Sequence, residues 1–158
     1  MIAMALTCDP KLIFADEPTT ALDVTVQAQI LKLFGSLQEK FSTAIVLISH
    51  DLGVIANNCD SVMVMYAGQV MEKGSPEEIF ENPSHPYTRA LKESIPDLYP
   101  KEGQEETLKA IEGLPPNLMK LKKTCPFVDR CEFSSSKCSE GVPPLKKITN
   151  SHFTRCIK

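Results

Sequence analysis

The 158-residue chain contains no G-x-x-x-x-G-K-[ST] run, the glycine loop whose backbone amides cradle phosphates. No uninterrupted apolar run approaches the roughly 18 residues that span a bilayer, so nothing here reads as an integral membrane helix. The opening Met1-Ile-Ala-Met-Ala-Leu-Thr-Cys-Asp-Pro10 has no basic leader and soon meets Asp9, unlike a secretory signal. There is no internal repeat and no low-complexity tract. There is also no closely spaced cysteine pair of the zinc-ribbon kind, although six cysteines are present. With no sign of export, those six point to metal or free thiols rather than to a disulfide framework. The net charge of -3 hides an asymmetry: residues 1–95 carry 6 Lys+Arg against 12 Asp+Glu, and residues 96–158 carry 11 against 8. The basic charges of the tail are scattered through it. A basic tail could touch nucleic acid or lipid headgroups, and charges scattered in this way are expected to form a merely solvated surface.

What is present suffices for one ordinary domain, since 42% of the residues are hydrophobic. Residues 2–8 look like the end of a helix, stopped by Asp9-Pro10. Lys11–Ala15 and Thr43–Ile48 are short apolar runs that predict buried strands. Between them Val26, Ile30, Leu33, Phe34 and Leu37 fall at helical steps, predicting one amphipathic helix over Val24–Lys40. Asp51 should start a short helix through about Asn57. Ser61–Tyr66 and Gln69–Glu72 flank Ala67-Gly68 and predict a hairpin. Ser75-Pro76 opens a further helix, with a capping serine and proline at its first position. A last helix is expected from Tyr87 to Ser94. Strand, helix, strand, helix, strand describes half of a doubly wound α/β sheet. After residue 95 periodicity fades into a linker with Pro100, Pro115 and Pro116.

The chemistry-bearing residues sit at the strand ends. Leu12-Ile-Phe-Ala-Asp16-Glu17-Pro18 runs an apolar strand into two adjacent acids, and an open α/β sheet presents its ligands at the carboxyl ends of its strands. Phosphoryl chemistry needs an acid to hold Mg²⁺ and a second group to orient the attacking water. Asp16 suits the first role and Glu17 the second. His50 ends the next strand, where it could meet Glu17 near one phosphate.

These residues carry a resemblance. Leu12–Pro18, then Ala21-Leu22-Asp23, then Ser49-His50-Asp51 are similar to the Walker B strand, D-loop and switch-histidine loop of ABC transporter ATP-binding subunits. Asn82-Pro-Ser-His-Pro-Tyr-Thr-Arg-Ala-Leu91 and the cysteine-bearing tail, with Pro126-Phe127 and Pro143-Pro144-Leu145, narrow it to the oligopeptide/dipeptide importer branch, near some nickel importers. The resemblance implies a partial P-loop NTPase fold of the ABC type over residues 1–95. A linker over 96–124 and an irregular Cys-containing extension over 125–158 would follow. It implies ATP and Mg²⁺ as ligands, with Asp16 on the metal, Glu17 as catalytic base or water-orienting group and His50 at the γ-phosphate. Asp23 would face a second ATPase subunit across a dimer. The implied partners are that subunit, transmembrane permease subunits and, indirectly, a periplasmic or surface substrate-binding protein. The implied place is the cytoplasmic face of the membrane. The opening residues resemble the helix that follows the family's signature motif, so the chain is expected to be a fragment that by itself neither binds ATP tightly nor hydrolyses it.

Cys125, Cys131, Cys138 and Cys156 are spaced C-x₅-C-x₆-C-x₁₇-C. Four thiolates can hold an iron–sulfur cluster, and the resemblance implies that these positions correspond to ligands of a [4Fe-4S] cluster. The alternative is reduced thiols packing the tail. Cys8 and Cys59, among apolar neighbours, are expected to be small core residues, and Met63, Met65 and Met71 to be packing. His85 and His152 receive no role. Rival readings are a metal-binding docking or regulatory module, a soluble ABC protein of translation or DNA repair, and an inactive product.

Overall fold

Asp23 ends one turn and starts the longest helix. Its side chain accepts from the Val26 amide at 3.0 Å, satisfying one of the orphan donors of α2, Val24–Phe41. Ser42, left-handed at φ 52, closes that helix by donating its amide to Gln38 O. The structure, a computed structural model, describes residues 2–95 and 109–158. Residues 96–108 of the expected linker, Pro100 among them, lie outside the described residues. The chain divides into two compact units, Met1–Cys59 and Asp60–Lys158. No described helix is long and apolar enough to cross a membrane.

In the first unit β1, Leu12–Asp16, pairs in parallel with β2, Ala44–Ile48, with Leu12 opposite Ala44 and Asp16 opposite Ile48. Ala15, Ile45 and Leu47 pack with Ile30, Phe34 and Leu37 of α2, and with Ile2 of the short α1, Ile2–Ala5, and Leu6 just beyond it. The second face of the pair is open. Phe14 is 67% exposed, Leu12 47% and Ile48 44%, which corrects the expectation of two buried strands. Parallel strands are buried on both faces only where helices cover both, and within this unit α1 and α2 pack on one face. Asp51 caps α3, Leu52–Asn58, accepting from the Val54 amide at 3.1 Å. Cys8 is exposed and not a core residue, because it lies in the turn that follows α1. Cys59 is half-buried.

In the second unit β3, Val62–Tyr66, and β4, Gln69–Gly74, form the expected hairpin. Ala67 and Gly68 both take positive φ, 49 and 76, the twist that a two-residue turn needs to match the strands. Burial alternates along β3: Val62, Val64 and Tyr66 face inward, while Met63 and Met65 are more than half exposed. Of the three methionines assigned to packing, only Met71 is buried. Ser75 and Glu78 close a reciprocal capping box on α4, Pro76–Phe80, and α5 spans Pro86–Glu93.

The sheet of this unit runs β3-β4-β6-β5, its last members being the tail strands β5, Lys146–Lys147, and β6, Phe153–Thr154. The α/β class holds, with β1 and β2 parallel and α2 packed on them, but among the described residues β3 does not join that pair to make half of a doubly wound sheet. A two-stranded parallel sheet and a separate four-stranded antiparallel sheet take its place. The tail is not merely irregular, and residues 60–95 fold into one compact unit with it rather than with residues 1–59.

Glu72 is the junction. Fully buried on β4, its carboxyl accepts from the amides of Ser84 at 2.6 Å and His85 at 3.0 Å, and His152 Nε2 lies 2.6 Å from Oε1. This gives both histidines a structural place. Nearby, Glu78 accepts from the Thr149 and Ser151 hydroxyls at 2.6 and 2.9 Å and from the Ser75 amide. These bonds pull its carboxyl down to about 2. Removing the Glu72 carboxyl would strand two backbone donors and an imidazole in a buried site. Glu72→Ala should lower the stability of the second unit by about 3–5 kcal/mol in urea unfolding. A loss under about 1 kcal/mol would show that Glu72 is not the junction.

Candidate functional site

The parallel register of β1 and β2 carries their carboxyl ends to one place. The Glu17 amide donates to Ile48 O at 2.9 Å, extending the ladder one residue past Asp16. His50 stands two residues beyond Ile48. The structure brings Glu17 and His50 into direct contact. Glu17 Oε1 accepts from the His50 amide at 3.0 Å and lies 2.8 Å from His50 Nδ1. Its other oxygen accepts from the Thr20 hydroxyl at 2.8 Å. Thr20, a residue that sequence reasoning passed over, stands three positions after Glu17 at a tight turn, where the Thr20 amide also donates to Glu17 O.

The contact has an electrostatic consequence. The His50 hydrogen bond, then that of Thr20, holds the Glu17 carboxyl below the usual range, and Glu17 raises His50. Both groups are reachable from solvent, the His50 side chain being 81% exposed and that of Glu17 35%. Asp16 is exposed, and its side chain makes no hydrogen bond or ion pair among the described residues, leaving its carboxyl open to a ligand. Asp23 is not part of this cluster. One of its oxygens is already committed to capping α2.

The other predicted set lies in the second unit. Cys125, Cys131, Cys138 and Cys156 line one cavity of about 20 Å³, together with His85, Phe127 and Arg155. The Cys125 amide donates to Cys138 O at 3.0 Å, which ties the first and third cysteines together through backbone. Burial pushes the Cys125 and Cys131 thiols up. Burial also drives His85 down to about 4, so its ring is neutral at pH 7, and its Nδ1 accepts from the Tyr87 amide to cap α5. Among the described residues no three His, Cys, Asp or Glu side chains are arranged to hold a metal ion. The four sulfurs are of the right kind for a soft metal and gather at one cavity, but they do not close on a common point as they stand.

Residues 71–138 match the family described as oligopeptide/dipeptide transporter, C-terminal region. The chain is 54% identical over 156 residues to the oligopeptide transport ATP-binding protein OppD of Haemophilus influenzae, covering 99% of this chain and 47% of that one. Its identity to the OppD of Escherichia coli is 51% over 158 residues, covering 100% of this chain and 46% of the relative. The chain thus spans about half the length of these relatives. A solved chain, cbiO1 from Clostridium perfringens, described as part of the ABC transporter complex cbiONQ, is 36% identical. It covers 51% of this chain and 32% of its own, with a TM-score of 0.48.

The Glu17–His50 pair sets a pH window. His50, raised in the folded state, adds stability that is full below about 6.5 and lost as pH rises through its raised value. Glu17, lowered, adds stability that is lost as pH falls through its lowered value. Titration of the His50 ring by NMR should give a midpoint above 6.5 that drops back in Glu17→Gln. A midpoint at 6.5 in both proteins would mean that the pair does not form in solution.

Proposed function

From the premise that this chain belongs to the ATP-binding proteins of peptide ABC transporters, we propose that it carries the water- and metal-binding half of an ATP hydrolysis site that energises peptide uptake. The observation that carries this reading is the 2.8 Å Glu17–His50 contact beside an unengaged Asp16, at the carboxyl ends of two paired parallel strands. Asp16 would hold Mg²⁺, which neutralises charge on the phosphates when bound. Glu17 is a carboxylate held below its ordinary pKa, which makes it a weak proton acceptor, while the ionised oxygen bonded to Thr20 keeps a further lone pair to accept a hydrogen bond from water. Orienting the attacking water suits it better than removing a proton. His50, exposed and raised, would donate to a γ-phosphate oxygen. A P-loop must come from elsewhere, since nothing in these 158 residues replaces its amides and lysine. A second ATPase subunit facing Asp23, membrane permease subunits and a place at the cytoplasmic face of the membrane complete the reading.

The test is ATP turnover. The 158-residue chain alone should show none. Once assembled with a chain that supplies the P-loop half, it should turn over ATP at a rate that Glu17→Gln lowers by about 10²-fold or more. Turnover by the chain alone that Glu17→Gln abolishes would overturn the need for a separate P-loop.

A second reading concerns the tail. The four cysteines that line one cavity support a metal-binding role for Cys125, Cys131, Cys138 and Cys156, as a [4Fe-4S] cluster or a single ion. The space has room for about one water-sized atom, so a four-iron cluster requires the thiols to turn outward. Chain purified without oxygen should contain iron and acid-labile sulfide that are lost in Cys131→Ser, and chelation should lower its melting temperature. No metal under those conditions would leave the thiols as packing.

A further inference from the structure

A second cavity of the Asp60–Lys158 unit is open to solvent and measures about 590 Å³. Its wall carries Arg89 of α5, Lys146 and Lys147 of β5, Thr154 of β6, Ser84 and Lys158, and no acidic residue lines it. Among the described residues none of these four cations pairs with a carboxyl, the ion pairs of the chain being Glu17–His50, Glu93–Lys109 and Glu72–His152. Arg89, Lys146 and Lys147 round one recess, with Pro86 and Ile148 as apolar walls and the Lys158 ammonium 4.7 Å from the centre of the Phe133 ring, focus a positive potential inside it.

Two details turn a basic patch into a built recess. Arg89 Nε donates to Pro83 O at 2.8 Å, which fixes the guanidinium plane and leaves its terminal nitrogens without a described partner. Thr154 is 4% exposed, and its hydroxyl is buried with no hydrogen-bond partner. Buried hydroxyls are ordinarily satisfied, and this orphan belongs to a residue of the cavity wall; it is closed off as it stands, and a turn about the Thr154 Cα–Cβ bond would bring it to an occupant. A carboxylate offers two oxygens and one charge. A phosphomonoester offers three free oxygens and nearly two charges, matching two ammonium groups, a guanidinium fork and a hydroxyl.

We propose that this cavity is an anion site for a phosphomonoester group, from a soluble phosphate compound or from a lipid headgroup. The proposal stands apart from the ATP reading, because it uses none of Asp16, Glu17 and His50.

The experiment uses the full chain, with inorganic phosphate as one probe and vesicles of phosphatidylcholine with and without phosphatidic acid as the other. Binding is followed by calorimetry and co-sedimentation, and the fold of each variant by circular dichroism. Saturable binding of inorganic phosphate is expected, weakened by about tenfold or more in Lys146→Ala/Lys147→Ala. Thr154→Val, which leaves the net charge unchanged, should weaken it too. Binding that requires phosphatidic acid and is weakened by the same two variants would assign the site to a headgroup. No saturable binding to either probe would overturn the proposal. So would binding that vanishes with added salt yet ignores Thr154→Val, because that behaviour belongs to diffuse surface charge.

Discussion

One buried carboxyl organises most of the second unit. Taking a carboxyl group out of water costs several kcal/mol unless donors replace the lost hydration, and Glu72 meets that demand with three. They come from two places far apart in the chain, the Ser84 and His85 amides and the His152 ring. The contact therefore sets the position of the 82–86 turn relative to β4, and with it the start of α5. It also brings β6 alongside β4, where Glu72 pairs with Thr154 and Lys73 with Phe153. Arg155 extends the same seam, donating to Val70 O and Pro143 O. The cysteine-lined cavity and the basic one both border Pro86 and Cys156. Their walls exist because Glu72 holds those two stretches together.

The first unit is organised by backbone rather than by a side chain. An in-register parallel pair has no choice about which ends lie side by side, so the residues that follow Ile13–Asp16 and Ile45–Ile48 must meet. The Glu17–His50 contact follows from that register plus one extra ladder bond, from the Glu17 amide to Ile48 O. A slip of one residue would turn Ala15, Ile45 and Leu47 away from α2 and move Glu17 away from His50 in the same step.

Features set by local chemistry were readable from the residues. The stripe of α2, the Ala67-Gly68 turn and the Ser75 cap with Pro76 at the first helical position each depend on fewer than twenty consecutive positions, and each forms as expected. The adjacency of Glu17 and His50 was open to inference for a related reason, since two strands joined by one helix most simply pair in parallel. What escaped the sequence is long-range. Lys146–Lys147 is a two-residue strand made of charged side chains, with no apolar alternation to mark it. The union of residues 60–95 with the tail depends on the contact between Glu72 and His152, 80 positions apart, and no spacing rule reaches so far. The exposure of Phe14 and Ile48 is likewise a matter of what covers a face, which an apolar run does not disclose.

Glu17 bears one mark that spacing alone cannot carry. Its backbone is left-handed at φ 46, a conformation that costs a side-chain-bearing residue on the order of 1–3 kcal/mol. Such strain persists only where the surroundings over-determine it. Here they do so at both backbone ends: the Glu17 amide is held by Ile48 O, and Glu17 O by the Thr20 amide. The side chain is held as well, by His50 on one oxygen and Thr20 on the other. A relaxed, extended Glu17 would continue β1 and project from the strand on the face set by its pleat. The turned one brings its carboxyl to His50 and leaves Asp16 as the last unengaged acid of the strand. The strain thus separates the two adjacent acids into different tasks, one open to a ligand and one locked in a hydrogen-bonded frame. Two acids next to each other at the end of an unstrained strand would instead point to opposite faces and could not serve one site.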